Sequence, residues 1–306
     1  AQKFEAWAYY NHTQFDHRSA ELKPLFAEWR SIVGLNDEDV AALIRRDRID
    51  ILVDLSGHTG NSRLDVFAHR PAPVQVSWIG YPNTTGLKTI AYRITDAIAD
   101  PVGESEPFYC ETLVRLPDCF LCYTAPQVAP AVGPLPLQKN SIVTFGSFNG
   151  RVKITDETLA LWSRILASVK DSRLLVKSVN GLADTIGKRQ LIEQMVAAGI
   201  DPERVTLMAP KEATEDHLAL YNTIDIALDT TPYNGTTTTC EALWMGVPVV
   251  TLCGDRHASR VGASLLNSVG LTELVAYSEA DYVSLAVDLA SDPTRLAGLR
   301  STMRQR

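Results

Sequence analysis

The sequence predicts an α/β protein built from two Rossmann-like units, and three observations lead to this prediction. Short runs rich in β-branched residues alternate with segments of helical spacing along most of the 306 residues. Residues 126–136 (PQVAPAVGPLP) contain four prolines, too many for a helix or sheet interior. The chain length suits two domains of about 150 residues each. We therefore expect one unit at residues 1–125, a linker at 126–140 and a second unit at 141–306.

The elements of the first unit follow from its hydrophobic pattern. Leu22, Leu25, Phe26 and Trp29 repeat at helical spacing, whereas the apolar run at 49–55 has the length and β-branched content of a buried strand. The predicted strands lie at 4–10, 49–55, 74–79, 92–96 and 113–116, and the predicted helices at 19–30, 37–46 and 61–69. Because the chain enters a strand almost at once and stops abruptly at its other end, we expect both units to be truncated at their outer ends.

The same alternation restarts after residue 140. Leu159, Trp162, Ile165 and Leu166 share one face of a predicted helix, and residues 224–228 have the pattern of a buried strand. The predicted strands lie at 141–145, 173–179, 204–208, 224–228 and 247–252, and the predicted helices at 155–169, 185–198, 215–223 and 258–267. Ligands of such folds bind beyond the carboxyl ends of parallel strands, so the loops that follow these strands are candidate sites.

A threonine-rich helix start is the most informative of these loops. Gly235 lies in a turn after the preceding strand, and Thr236, Thr237 and Thr238 open the next helix. The first N–H groups of a helix lack internal partners and carry partial positive charge, so with the threonine hydroxyls they predict a phosphate site. Glu241 lies one turn further on, where a carboxylate could take a ribose hydroxyl pair. The alternative is a simple cap, in which Thr238 and Glu241 form a capping box.

Four further residues lie in or beside such loops. His58 follows a predicted strand and is a ligand candidate, although a loop histidine is more often solvated or bonded to backbone. Gly80 has no side chain to exclude a sugar, but an ordinary turn explains it as well. Lys153 lies just before a helix start, where a lysine is unfavourable unless an anion is present; the alternative is a solvated lysine. His217, on a first helical turn, could reach a base or a phosphate, or could only cap the helix.

Composition restricts the partners that the protein can bind. A net charge of −7 and a pI near 5.4 argue against a nucleic-acid or anionic-membrane surface. Five cysteines are an odd, sparse set that indicates free thiols in a reducing compartment, and no run of about 18 apolar residues is present. We therefore expect a cytoplasmic protein. Cys119 and Cys122 have the spacing of half a zinc site but lack a second ligand pair, so no metal is predicted.

Several motifs of the second unit together resemble one enzyme family. They are residues 234–241 (NGTTTTCE), 243–251 (LWMGVPVVT) and 257–264 (HASRVGAS). The same resemblance extends to Lys153 and to residues 68–75 (AHRPAPVQ), 78–82 (WIGYP) and 145–149 (FGSFN), and therefore covers nearly the whole chain. The family that these segments resemble is the O-linked N-acetylglucosamine transferases of glycosyltransferase family 41, and the chain is most similar to the bacterial relatives of the nucleocytoplasmic and plant SPINDLY-type enzymes.

The resemblance implies a fold of glycosyltransferase B type, in which the parallel sheets of two Rossmann-like domains face each other across a cleft. The implied reaction is inverting transfer of N-acetylglucosamine from UDP-GlcNAc to Ser or Thr hydroxyls of an acceptor protein, with no metal or other cofactor. Tetratricopeptide repeats usually present the acceptor in this family, and we expect them in the full-length parent. A UDP-sugar epimerase on the same fold and a non-catalytic nucleotide-fold module remain the alternatives.

The resemblance also implies roles for residues that match the family's motifs around the phosphates and the ribose. Lys153 corresponds to the lysine that stabilises the diphosphate leaving group. Thr236, Thr237 and Thr238 correspond to the helix start that holds the phosphates, and Glu241 corresponds to an acidic ribose ligand.

Further positions match the loops around the base and the transferred sugar. Asn149 corresponds to the start of the lysine loop, Ala209 and Lys211 to the loop that recognises uracil, and His217 to a histidine near the nucleotide. Gly80 and Pro82 resemble the loop beside the sugar. We take Lys153 and His58 as the catalytic candidates.

The chain departs from the family pattern in three places. Gly150 stands where some relatives have glutamine, and extra residues separate Lys211 from His217. The family also has an active-site histidine in a Gly-Asn-His-Pro-like segment that would precede the first residue of this chain. We therefore expect the chain to bind UDP while transferring sugar poorly.

Overall fold

The computed structural model describes residues 3–178, 182 and 184–306, and it divides the chain into two compact units. The first contains residues up to 95 together with 106–114, and the second contains 96–105 and 115–306. The boundaries predicted at residues 125 and 140 stay predictions. The last residue of the strand predicted at 173–179 lies outside the described residues.

Parallel strands and short helices make up the first unit. Apart from the final residues of β5 and β6, it contains β1 (Trp7–Tyr10), α1 (His17–Leu22), β2 (Glu28–Ser31), α2 (Asp37–Asp47), β3 (Ile51–Asp54), α3 (Leu64–Ala68), β4 (Val74–Trp78), β5 (Tyr92–Asp96) and β6 (Thr112–Leu116). β1 pairs with β2 in a two-stranded parallel sheet. The other strands form a sheet in the order β3, β4, β5, β6, in which β4 is parallel to both of its neighbours.

The helix predicted at 19–30 is wrong over its second half. α1 ends at Leu22, one 3-10 turn follows at Lys23–Leu25, and β2 begins at Glu28. Pro24 explains the break, because proline lacks the N–H that a continuing helix needs and its ring clashes with the preceding turn. Trp29, whose spacing suggested a helix, instead pairs with Ala8 across the β1–β2 ladder.

Helix α2 shows how local signals and burial agree in the first unit. Asn36 caps the helix, because its side-chain oxygen accepts from the Asp39 N–H at 2.8 Å. The first turn is acidic and the last turn is basic, which matches the helix dipole. Val40 and Ile44 are buried in the core of this unit, so the apolar stripe of the helix faces inward.

Backbone packing in the loop after β4 explains why residue 80 is a glycine, and the explanation needs no ligand. A Cβ added to Gly80 would lie 2.0 Å from the carbonyl oxygen of Leu55, far inside van der Waals contact. The backbone of one loop therefore packs directly on the backbone of another. The absence of a side chain at Gly80 is a requirement of this packing.

A six-stranded parallel sheet forms the second unit. Its elements are α4 (Pro136–Asn140), β7 (Val143–Ser147), α5 (Asp156–Ser168), β8 (Ser172–Lys177), α6 (Thr185–Ala197), β9 (Val205–Met208), α7 (Thr214–Ala219), β10 (Ile226–Leu228), α8 (Thr237–Trp244), β11 (Val249–Leu252), α9 (Val261–Ser268), β12 (Val275–Ala276), α10 (Glu279–Ala290) and α11 (Pro293–Thr302). The strand order is β12, β11, β10, β7, β8, β9. The chain builds outward from β7 to β9 and then crosses to β10, so the direction of winding switches between β7 and β10.

Large apolar side chains join the helices to this sheet. Phe145 on β7, Trp162 on α5 and Tyr282 on α10 are fully buried. α5 begins at the cap residue Thr155, whose side chain accepts from the Thr158 N–H. The helix therefore starts where the sequence predicts and aims its apolar face at the sheet.

Two further properties concern the hydropathy of the helices and the state of the cysteines. Among the described residues, no helix is long and apolar enough to cross a membrane. All five cysteines carry free thiols. Burial raises the pKa of the Cys240 thiol to about 12, which keeps it in the unreactive protonated form.

We predict that Gly80→Ala destabilises the first unit by about 1–3 kcal/mol or more, because the new Cβ must displace backbone rather than a flexible side chain. Gly60→Ala is the matched control, since a Cβ there meets nothing within 4 Å. Urea unfolding followed by tryptophan fluorescence compares the two variants. Equal unfolding midpoints for Gly80→Ala and Gly60→Ala would contradict the packing explanation.

Candidate functional site

The candidate site lies where the winding of the second sheet switches, beyond the carboxyl ends of β7 and β10. Two loops meet there, residues 148–153 after β7 and residues 229–236 after β10. Open α/β sheets bind ligands at this position, because the chain leaves neighbouring strands in opposite directions and opens a crevice. A narrow crevice is present, and its lining includes Asn149, Asp229 and Thr238.

A buried carboxylate, Asp229, holds the two loops together. Its Oδ1 accepts from the N–H of Gly235 at 2.6 Å, the N–H of Thr230 at 2.9 Å and Nδ2 of Asn149 at 3.2 Å. Its Oδ2 accepts from the hydroxyl of Thr251 at 2.8 Å. Burial raises the pKa of Asp229, and the hydrogen bonds from Gly235 and Thr251 oppose that rise. Asp229 thus fixes the turn that precedes α8.

The threonine-rich start of α8 keeps free donors. Thr236 is the cap residue, yet its side chain makes no capping hydrogen bond. Within the described residues, no acceptor is found for the N–H groups of Thr236, Thr237 and Thr238. Thr237 is exposed and the other two are half-buried, so none of the three residues is enclosed in the core. The Thr238 hydroxyl donates to Oδ1 of Asn149 at 2.6 Å and is therefore part of the Asp229 network.

The capping box considered for Thr238 and Glu241 does not form. Glu241 Oε2 lies 2.8 Å from His217 Nε2 and accepts from the Tyr221 hydroxyl at 3.2 Å. The Glu241 side chain is 14% exposed, so it is turned inward from the helix surface. His217, Tyr221 and Glu241 therefore form one cluster beside the start of α8, and neither His217 nor Glu241 serves only as a cap.

Lys153 lies next to this helix start. Its Nζ donates to the Asn234 carbonyl at 2.7 Å and lies 3.9 Å from the centre of the Tyr233 ring. No carboxylate pairs with it within 4 Å in the described part of the chain. Burial lowers the pKa of Lys153, and the charge of Asp229 opposes that effect. An ammonium beside free helix N–H groups is an arrangement that favours an anionic ligand.

The remaining predicted residues of the second unit lie in two different places. Asn149 is buried within the Asp229 network. Ala209 and Lys211 lie in the exposed loop that follows β9. Among the described residues, Lys211 makes no ion pair and no hydrogen bond to the cluster around Glu241.

Three predicted residues belong to the first unit. His58 Nε2 lies 3.1 Å from the Thr85 carbonyl, and its ring packs edge-on against Tyr81. Thr85 is itself fixed, because both its N–H and its hydroxyl bond to the buried carboxylate of Glu111. Gly80 and the half-buried Pro82 lie in the same loop as Tyr81. His58 is thus bonded to backbone, as the simpler interpretation of a loop histidine expects.

Two residues of the site escaped prediction from the sequence. Asp229 received no role, although a carboxylate directly after an apolar strand and before a turn is the signal that would have identified it. Lys177 ends the apolar strand β8 and is buried against His217, whose Nδ1 lies 2.7 Å from its Nζ. Its signal is a lysine at the carboxyl end of a buried strand. No group of three or more metal-ligating side chains occurs in residues 3–178, 182 and 184–306.

Sequence comparisons relate nearly the whole chain to one family. The family model described as Glycosyl transferase family 41 matches residues 9–131 and 134–306. A protein of Arabidopsis thaliana named probable UDP-N-acetylglucosamine–peptide N-acetylglucosaminyltransferase SPINDLY is 52% identical over 278 residues, which cover 90% of this chain and 30% of that protein. A protein of the same name from Petunia hybrida is 51% identical over 279 residues, with the same two coverages. The chain thus spans about a third of the length of these relatives.

A solved structure gives the corresponding match in three dimensions. A mutant of the O-GlcNAc transferase of Thermobaculum terrenum superimposes with a TM-score of 0.93 at 42% identity, covering 98% of this chain and 56% of that one. The predicted fold class, of glycosyltransferase B type with parallel sheets, is confirmed by this match.

We predict that Asp229→Ala lowers the free energy of unfolding by about 3 kcal/mol or more, because each buried donor that loses its acceptor costs about 1–3 kcal/mol. Thr251→Val is the control: it removes one hydrogen bond to Asp229 but keeps the side-chain shape, and should cost about 1 kcal/mol. Urea denaturation measures both values. If Asp229→Ala costs no more than Thr251→Val, the carboxylate does not hold the loops.

Proposed function

The chain belongs to glycosyl transferase family 41, and we propose that it is the core of an inverting protein glycosyltransferase that uses UDP-GlcNAc. N-acetylglucosamine would pass to Ser or Thr hydroxyls of an acceptor protein, as the names of the similar plant proteins suggest. One observation carries the proposal: the Lys153 ammonium and a row of free helix N–H groups lie together at the switch point of the second sheet, with the Glu241 carboxylate one turn further along the same helix.

The chemistry requires positive charge at the leaving group. The acceptor oxygen attacks the anomeric carbon while the bond from that carbon to the diphosphate oxygen breaks, so negative charge grows on the diphosphate. Lys153 and the N–H groups of Thr236, Thr237 and Thr238 are placed to stabilise that charge. An approaching diphosphate would also favour the charged form of Lys153, whose pKa burial lowers. These groups supply the stabilisation that a metal ion provides in other transferases.

The other site residues complete the proposal. Glu241 would bind the ribose hydroxyls, with His217 beside it, while Asn149 positions the phosphate loop through Asp229. Ala209 and Lys211 would meet the uracil, and Gly80 and Pro82 would lie beside the sugar. His58 is the candidate for taking the acceptor proton, because its Nε2 donates to the Thr85 carbonyl and leaves Nδ1 to accept.

The partners and the setting are part of the same proposal. The acceptor is a protein or peptide with a free Ser or Thr hydroxyl, and tetratricopeptide repeats in the longer parent would present it. The reaction would take place in the cytoplasm, in keeping with five free thiols. A UDP-sugar epimerase would need two acid/base carboxylates in the crevice, whereas Asp229 is committed to four donors.

We predict that Lys153→Ala and Glu241→Ala each weaken UDP binding about 10–100-fold, the factor expected when a hydrogen bond to a charged group is lost. Isothermal titration calorimetry on the 306-residue chain gives the affinities. Lys170→Ala removes an exposed lysine of the same unit and should bind UDP as the unaltered chain does. Affinities that are equal in all four proteins would remove the proposed site.

We predict that the full-length parent transfers N-acetylhexosamine from UDP-GlcNAc to acceptor proteins and that Lys153→Met abolishes this transfer. Mass spectrometry of acceptors detects the added sugar, and several UDP-sugars run in parallel test the choice of donor. The 306-residue chain alone should bind UDP yet transfer much more slowly. Formation of an isomerised UDP-sugar would instead identify an epimerase, and binding without any conversion would indicate a non-catalytic module.

A further inference from the structure

Lys177 is a buried cation, and among the described residues its ammonium has fewer hydrogen-bond acceptors than N–H donors. It is the last residue of β8 and is only 3% exposed. Its Nζ lies 2.7 Å from His217 Nδ1 and 5.7 Å from the centre of the Phe148 ring. An ammonium has three N–H donors, and in the described part of the chain His217 is the one hydrogen-bond acceptor found for this group. A buried ammonium with too few acceptors lowers the stability of the fold, which points to a role in the site.

The contact with Lys177 bears on which ring nitrogen of His217 carries the proton. An ammonium can only donate, so His217 Nδ1 must accept and cannot carry a proton. The proton of the neutral ring therefore lies on Nε2, which donates to Glu241 Oε2 at 2.8 Å. A second proton on Nδ1 would face the Lys177 ammonium directly. Lys177 thus favours the Nε2–H tautomer of His217 and one orientation of its ring.

The orientation of the His217 ring restrains the Glu241 carboxylate through their hydrogen bond. Oε2 of Glu241 takes hydrogen bonds from both His217 and the Tyr221 hydroxyl. Tyr221 is fully buried, and its single hydroxyl proton is shared between Glu241 Oε2 and the Thr238 carbonyl at 3.1 Å, so it is a rigid neighbour. Within the described residues Oε1 has no hydrogen-bond donor, and it is the oxygen left for a ligand. The charge of Lys177 also balances that of Glu241, and this attraction opposes the burial that lowers the pKa of Lys177.

We propose that Lys177 is a positioning residue of the donor site, which acts through His217 to aim the Glu241 carboxylate at the vicinal hydroxyls of a ribose. The proposal rests on the function proposed above, in which Glu241 binds the nucleoside. Lys177 does not touch the diphosphate in this account. Its effect on binding should therefore depend on the ribose hydroxyls and not on the charge of the phosphates.

The first test reads the state of His217 in the chain without any nucleotide. Imidazole ¹⁵N chemical shifts near neutral pH distinguish the tautomers, and loss of the signals in His217→Gln assigns them. We expect a neutral His217 ring with its proton on Nε2. In Lys177→Met the restraint is gone, so Nδ1 should gain proton occupancy. An Nδ1–H tautomer or an imidazolium in the unaltered chain overturns the proposal even if Lys177→Met fails to fold.

The second test separates positioning from simple charge attraction. Calorimetry measures the binding of UDP and of 2′,3′-dideoxy-UDP to the unaltered chain, Lys177→Met and the control Lys170→Met. We expect Lys177→Met to weaken UDP binding about tenfold, the scale of one charge-assisted hydrogen bond, and to leave dideoxy-UDP binding unchanged. Equal losses for both nucleotides would show that Lys177 acts on the diphosphate by its charge, and no loss for either would show no role. Both results overturn the proposal.

The two proposals fail in different ways. If the unaltered chain does not bind UDP, the proposed function fails, whereas the His217 tautomer still tests the Lys177–His217 contact. If UDP binds and Lys153→Ala weakens it while Lys177→Met does not, the proposed function stands and the positioning role of Lys177 is wrong.

Discussion

The Asp229 carboxylate is the interaction on which the site depends. It is buried, and it gathers donors from the turn before α8, from the loop after β7 and from β11. Because one carboxylate accepts from all of these donors, the turn at Gly235 is fixed. The first N–H groups of α8, which follow this turn, have no acceptor among the described residues.

The site contains two ammonium groups whose burial lowers the stability of the fold. Lys153 and Lys177 are both withdrawn from water, and burial lowers the pKa of each. Neither has a carboxylate within 4 Å among the described residues. Replacing such groups by apolar side chains often stabilises a protein, so their presence indicates that stability is given up for binding. The proposed diphosphate would offset this imbalance for Lys153, whereas His217 and Glu241 lie close enough to do so for Lys177.

Most of the second unit could be predicted from the sequence because its signals are local. The apolar face of α5, its cap Thr155 and the turn at Gly235 all act within a few residues. The first unit shows the limit: Trp29 fits a helix by spacing but lies on a strand, because Pro24 and the pairing with Ala8 outweigh periodicity. Asp229 was missed because its bonds to Asn149 and Thr251 join distant parts of the sequence, and Lys177 was missed because His217 is equally distant. The reason for Gly80 is a backbone contact that no pattern reveals.

The position of the diphosphate decides whether the proposed site is right, and a crystal structure of the chain with bound UDP measures it directly. We expect phosphate oxygens within hydrogen-bond distance of the N–H groups of Thr236, Thr237 and Thr238, with Lys153 Nζ turned from the Asn234 carbonyl toward them. A diphosphate bound elsewhere, with Lys153 still on Asn234 and the start of α8 uncontacted, would rule the site out.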